Sequence, residues 1–518
     1  MDFYEDWRKK TETLDFDQLG IDGQIDWILF ENLLKNRLYR LEQEEKNLEK
    51  IGFLLPFGKD IAVLEENRQD LLRVKPEDLA ESLVRIGKKI EAVHRRAADA
   101  VRSGGTLEDR EIQGENAYRA AGLCRDLGRT LKHWKEFYHG YDPMFTWWCE
   151  DPYEKTVSAL DAYEKFLKKQ SSGVSVGEGE EPVTGHPIGR EALQQELDFA
   201  MIAYTPEELI RIGEREYNWC LKEMIRASED LGYGREWRST LEYVKTCHES
   251  PGQQPYLIRK LAEEAIEFLE SRDLISIPPL AKETWKIEMM SPERQKVNPF
   301  FTGGRVISVS FPTNTMSHQD KLMSLRGNNR HFSRATVHHE LIPGHHLQGF
   351  MAPRSKPYRR IFYTPFWLEG WALHWEMLFW DLDFAQTPED RIGMLFWRIH
   401  RCARIIFSLR FHLGEMSAAE CIDFLVDGVG HERANAVAEV RRSFAGDYPP
   451  LYQCAYMLGG LQIRSLYHEW VDSGKMTPRE FHDAVLHENN IPIEMLRARL
   501  AGQPLDRDYK AGWRFDND

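Results

Sequence analysis

The feature that most constrains this chain is the recurrence of apolar residues at three- and four-residue intervals through long, charged segments. WILFENLLKNRLYRLEQEEKNLEKI (27–51) and PEDLAESLVRIGKKIEAVHRRAADAV (76–101) both show it. That spacing gathers apolar side chains on one stripe of an α-helix and leaves the charges on solvated faces. The second segment opens with Pro and acidic residues, which suit a helix's first turn. Antiparallel helices of a bundle are therefore expected up to about residue 170. The pattern lapses in QSSGVSVGEGEEPVTGHPI, whose Gly, Ser, Glu and Pro carry no period; a loop or linker is expected over 171–188. Helical spacing resumes in REALQQELDFAMIA, and Thr205-Pro-Glu-Glu is a strong helix start. Strand signals gather near 284–312, where TWKIEMM and RVISVSF are β-branched and alternating. The expected architecture is mainly α: a helical N-terminal lobe over 1–170, a linker, and a second helical domain over 189–518 with a small sheet. No internal repeat is visible.

Composition limits what such a chain does. Its 518 residues allow two or three domains, or one large two-lobed enzyme. A net charge of −15 disfavours non-specific nucleic-acid binding. The tryptophans at 367, 371, 375 and 380 fit a large aromatic interior. Seven cysteines without a CxxC pair fit a reducing compartment and remove a thiolate metal cluster from consideration. MDFYEDWRKK is polar from its start, and no run approaches the roughly 18 apolar residues of a membrane span. A cytoplasmic protein without membrane or nucleic-acid partners is expected.

The segment Ala335-Thr-Val-His-His-Glu-Leu-Ile-Pro-Gly-His-His-Leu-Gln348 carries the chemistry, with four histidines and a glutamate between His338 and His346. The zinc-peptidase helix His-Glu-x-x-His sets two imidazoles at i and i+4 on one face, with the Glu reaching a metal-bound water. Counted from His339, position i+4 is Pro343, and the next imidazole is His345 at i+6. Residues six apart diverge on a regular helix. Pro343-Gly344 is the pair expected to deform it, and a local bulge absorbing two residues would return His345 to the face of His339. His346 is in angular phase but too far along the axis, and His338 points elsewhere if His339 is a ligand. The third candidate is Glu369 in Thr364-Pro-Phe-Trp-Leu-Glu-Gly-Trp-Ala-Leu-His-Trp-Glu376, where Gly370 would permit close helix packing. Glu376, two turns on, could orient a ligand histidine or sit in a surface ion pair. For the developing oxyanion the candidate donor is Tyr456, next to Gly459-Gly460, with Tyr448 and Tyr452 as weaker alternatives. His431 and Arg464 receive no role.

The HHELIPGHHLQ helix, the LEGWALHWE helix, the YxxAYMLGG segment and YTPEELIRIGEREY resemble the bacterial family called domain of unknown function 885, over about residues 190–470. The resemblance implies a mostly helical zinc metallopeptidase of gluzincin type. It implies His339, His345 and Glu369 as zinc ligands, Glu340 as general base and a peptide as substrate. His374 stands where the family often shows Tyr. On this reading Zn²⁺ activates a water, Glu340 takes its proton, Tyr456 stabilises the oxyanion, and RVISVSF pairs with an extended substrate. Two other readings are open. One is a metal-free scaffold that binds peptides or a partner. The other is a di-iron protein using Glu91-Ala-Val-His94 and Glu136-Phe-Tyr-His139.

Overall fold

The computed structural model describes residues 1–108, 110–171, 173–174, 183–297, 303, 306–444 and 448–516. The fold is mainly α, as the periodicity predicts. The chain divides into two compact units, one of Met1 and Arg37–His186, the other of Asp2–Asn36 and Pro187–Asp518. The later boundary falls inside the expected linker. The earlier one corrects the expected 1–170 lobe, because residues 2–36 belong to the larger unit. The Ile21–Ile51 helix carries Asp22 and Asp26, whose partners are Lys356 at 2.8 Å and the fully buried Arg359 at 2.6 Å. Arg359 also pairs with Glu488. Asp26 and Glu488 together compensate the buried Arg359 guanidinium, whereas Asp22 is a more exposed partner of Lys356, which Glu488 also holds at 2.7 Å. The two aspartates lie more than 300 residues from Lys356 and Arg359 in sequence, which local periodicity does not register.

In the smaller unit the helices Gly58–Gln69, Pro76–Ser103, Glu115–Tyr138 and Pro143–Gln170 share one core. Leu79, Leu83, Ile86, Ile90 and Val93 recur every three or four residues and are all buried. Two short antiparallel strand pairs accompany them, Thr106–Leu107 with Arg110–Glu111 and Gly173–Val174 with Val183–Thr184. Two-residue strands are too short for alternation to reveal them. Of the expected linker, residues 172 and 175–182 lie outside the described residues.

In the larger unit the expected sheet is present beside the histidine segment. Strands Lys286–Met289 and Val306–Val309 pair in parallel, from Lys286 opposite Val306 to Met289 opposite Val309. Residues 298–302, 304 and 305 of this region lie outside the described residues. Ile307 and Val309 pack with Ile258 and Leu261 of the Gln254–Ser271 helix and with Val337 and Leu341. Burial of those side chains, worth about 1.5–3 kcal/mol each, seats the sheet against the histidine segment. Thr205 caps Pro206–Asp230 with a full capping box, Glu208 returning its carboxylate to the Thr205 N–H at 2.8 Å.

Two helices cross closely enough to need glycine on both sides. Pro365–Asp381 meets Tyr452–Tyr467 with Gly370 against Gly459, where a Cβ on Gly459 would lie 2.1 Å from the Phe366 carbonyl oxygen. The expected close packing through Gly370 and Gly459 is what brings the Glu369 and tyrosine helices together.

Candidate metal centre

The histidine segment is two helices rather than one deformed helix. Arg330–Glu340 stops, and His345–Met351 begins after a four-residue corner. This replaces the expected bulge. Leu341 takes φ −104, ψ −105 and Gly344 φ −72, ψ −138, both outside the helical region, and Ile342–Pro343 is cis. Pro343 has no N–H to continue the ladder. The Gly344 N–H instead reaches the His338 carbonyl at 3.0 Å, and the N–H groups of His346 and Leu347 reach that of Leu341. A Cβ on Gly344 would fall 1.7 Å from the His339 carbonyl oxygen, so the corner admits only glycine there. The Trp371 indole donates to the Pro343 carbonyl at 2.8 Å and ties the corner to the Glu369 helix.

The corner sets His339 in the last turn of one helix and His345 in the first of the next, so the imidazoles converge from two helix ends. Their ring centroids are 4.9 Å apart at 85°. Nε2 of His339 lies 3.7 Å, and Nε2 of His345 3.2 Å, from the same oxygen of Glu369. The candidate ligand atoms of the three residues all lie within 4.8 Å of one another. A tetrahedral ion with bonds of about 2.0–2.1 Å separates its ligands by about 3.3 Å, close to both measured edges. The other ring nitrogens are engaged: His339 Nδ1 lies 2.6 Å from Glu376 Oε1, and His345 Nδ1 lies 3.3 Å from Gln348 Oε1. Each Nε2 lone pair is thereby aimed at a carboxylate oxygen, an arrangement that needs a cation or protons between them. Glu376 is buried beside His339 and not in a surface ion pair.

The other histidines are elsewhere. Buried His338 packs on Phe379 and Phe384, and burial pushes its pKa down to about 3. His346 Nε2 lies 2.9 Å from the Ala281 carbonyl. His374 pairs with His482 at 3.0 Å, His431 with His400 at 2.9 Å, and Arg464 with Asp381 at 2.6 Å. Of the di-iron motifs, Glu136 is an exposed partner of Lys132 and His94 packs on Tyr163 and Phe166. Among the described residues, the one group of three or more His, Cys, Asp or Glu placed to hold a metal is His339, His345 and Glu369.

These three line a cavity of about 1270 Å³, larger than the roughly 300–1,000 Å³ that encloses a drug-sized molecule. Glu340 also lines it, and Gly303 lies so close that a Cβ there would overlap the Glu340 carboxylate. Tyr452 donates to Glu369 Oε1 at 2.5 Å, and the Tyr456 ring lies nearly parallel to His339, 6.2 Å between centroids. Sequence reasoning missed Arg401, Arg404, Glu439, Arg442 and Tyr363, which all line the cavity. Arg401 and Arg404 sit about one turn apart beside Cys402, Ala403, Ile405 and Ile406 of the Pro388–His412 helix, where charges among apolar neighbours are the signal that could have exposed them.

Charge decides what the centre needs. Glu340, Glu369 and Glu376 bring three carboxylates against one nearby guanidinium, Arg401, 3.8 Å from Glu376. Two imidazolium protons, or one dication with neutral imidazoles, balance them. Burial alone would depress His339, but Glu369 and Glu376 hold it up at about 9, and His345 is raised in the same way by Glu369. Burial would raise Glu369, yet the two imidazoles keep it well below its ordinary range. In the metal-free chain the raised His339 stabilises the fold fully below pH 6.5, its ordinary value, and that contribution is lost as pH rises through about 9. Metal must displace the same protons, so its affinity runs the opposite way. Affinity for a divalent ion such as zinc is expected to climb with pH, about tenfold per unit for each proton displaced, and to level off near 9. Competition against a zinc-buffering chelator measures this, and a flat profile contradicts it.

Fold and site together define a mainly helical protein with a two-histidine, one-glutamate candidate metal centre. The chain belongs to the bacterial proteins of unknown function called DUF885, whose family profile matches residues 1–500. No curated protein matches it in sequence. It shares its fold with a lipoprotein candidate of unknown function from Shewanella oneidensis, with a TM-score of 0.69 at 17% identity over 96% of this chain and 91% of that one. A second lipoprotein candidate, from Colwellia psychrerythraea, has a TM-score of 0.54 at 16% identity over 83% of this chain and 77% of its own. At such identities the likeness shows the fold alone. Among the described residues, no helix is long and apolar enough to cross a membrane.

Proposed function

We propose that this chain is a zinc-dependent peptidase whose metal is held by His339, His345 and Glu369. The reading rests on two imidazole nitrogens converging on one carboxylate oxygen, at 3.7 and 3.2 Å, in the wall of a cavity that also presents Glu340. Two nitrogens and one oxygen with room for a fourth ligand suit a catalytic zinc better than a closed structural site. When bound, the ion supplies Lewis-acid polarisation of a carbonyl and acidifies a water. Glu340 accepts a proton from the attacking water and delivers it to the leaving nitrogen as the peptide C–N bond breaks. Tyr456 donates to the developing oxyanion, while Tyr452, already bonded to Glu369, orients that carboxylate. An extended peptide runs past the Val306–Val309 strand, whose first residue lines the cavity with Lys286 of the neighbouring strand. All seven cysteines are free thiols, which supports a reducing, cytoplasmic setting for this activity.

The zinc-loaded chain is expected to cleave members of a peptide library, to lose this with a chelator and to regain it with zinc. Tyr456→Phe is expected to keep its zinc and to slow turnover about 100-fold. A fully loaded chain that cleaves nothing would favour the peptide-binding scaffold instead.

A further inference from the structure

The chain carries a net charge of −15, yet its cavity is lined by seven Lys or Arg against four Glu. The excess concentrates beyond Tyr456. The guanidinium carbons of Arg401 and Arg404 lie 4.5 and 4.4 Å from the Tyr456 ring centroid, and that of Arg442 lies 5.2 Å from the Tyr448 ring. Two carboxylates face these three cations. Glu439 is 2.6 Å from Arg404 and 3.7 Å from Arg442. Glu376 is 3.8 Å from Arg401 but is already engaged with His339. Arg401 Nε and Arg404 Nη1 are buried without a hydrogen-bond partner, and both side chains are more than nine-tenths buried. Buried guanidinium donors left unmatched are costly, and a planar anion is what satisfies them.

Resting on the peptidase reading above, the geometry points to a seat for the C-terminal carboxylate of the peptide on Arg401 and Arg404, which makes the site a carboxypeptidase. Reach fits this assignment. The Tyr456 ring is 6.2 Å from the His339 ring, so the Arg401 guanidinium lies within about 11 Å of it. An arginine–carboxylate contact takes up roughly 3 Å of that span, and an extended residue covers about 3.3–3.6 Å. At most two residues therefore fit between the scissile carbonyl and the seated carboxylate, and the products are single residues or dipeptides from the carboxyl end. An acidic side chain is the other source of a carboxylate.

The test uses the zinc-loaded full chain and matched peptides ending in a free acid or a carboxamide, each with Asp or Asn near the end. Amidation is expected to lower kcat/KM at least about 100-fold, and Asp-to-Asn exchange to leave it unchanged. Mass spectrometry should show only residues or dipeptides lost from the carboxyl end. Arg401→Gln is expected to collapse the preference for free acid over amide towards one. If that variant does not fold, calorimetry of free-acid and amide dipeptides on zinc-loaded Glu340→Gln reads the same preference without turnover. Equal handling of acid and amide, or a preference that follows Asp over Asn, overturns the assignment. No cleavage of either peptide with binding still selective for the free acid would remove the peptidase reading and leave the carboxylate seat.

Discussion

Replacing Glu340 by Gln is expected to lower turnover by about 10³–10⁴-fold while zinc stays near one ion per chain. Glu340 follows His339 at the end of its helix and lines the cavity, but it is not among the three converging groups. Its carboxylate lies so close to Gly303 that a Cβ on that glycine would overlap it. Glutamine has nearly the same shape, so packing against Gly303 and the fold around the ligands should persist. A carboxamide, however, does not accept a proton from water. The loss therefore belongs to proton transfer and not to metal binding. Metal analysis beside turnover on a peptide cleaved by the wild-type chain separates the two. Wild-type turnover in a zinc-loaded variant would exclude Glu340 as the base, and loss of the metal would make it a structural support.

The second large effect is expected from Gly459→Ala, a change of one methyl group at a helix crossing. The added Cβ would sit 2.1 Å from the Phe366 carbonyl oxygen and 2.9 Å from Gly370 Cα. Both obstacles are backbone, so no rotamer change relieves the overlap and the helices must part. Overpacking costs about 1–3 kcal/mol where side chains can shift. With backbone on both sides the cost should reach about 3 kcal/mol or more. The displacement also carries Glu369, one residue before Gly370, away from the histidines, so zinc affinity should fall with stability. Gly349→Ala is the control: its Cβ meets nothing within 4 Å, and in a helix it should be neutral or slightly stabilising. Thermal unfolding and zinc content of the two variants measure the contrast. Equal stability would show that the helices do not cross as closely as Gly370 and Gly459 suggest.

Much of this molecule was legible residue by residue. Leu79, Leu83, Ile86 and Ile90 announced their helix through spacing alone, and Thr205 with Glu208 announced the start of another. Pro343-Gly344 announced that something must happen between His339 and His345, and Gly370 and Gly459-Gly460 announced a close crossing. The form of the interruption was not legible. A bulge and a complete break both satisfy a proline without an N–H, and the break comes with a contact from another helix, the Trp371 indole donating to the Pro343 carbonyl. The assignment of residues 2–36 to the larger unit was equally hidden, because Asp26 finds Arg359 only in the folded chain.

The amino-acid order alone determined the mainly helical class, the helix starts and the three residues that could hold a metal. Those follow from dihedral preferences and hydrogen bonds among near neighbours. Tertiary structure alone decided that Glu376 holds His339, that Tyr452 rather than Tyr456 holds Glu369, and that Arg401 and Arg404 face the cavity. Each of those pairings joins side chains from different helices, 37 residues apart for His339 and Glu376 and 83 for Tyr452 and Glu369. Which groups meet at such separations is set by how helices cross, a property of packed surfaces that no local pattern encodes.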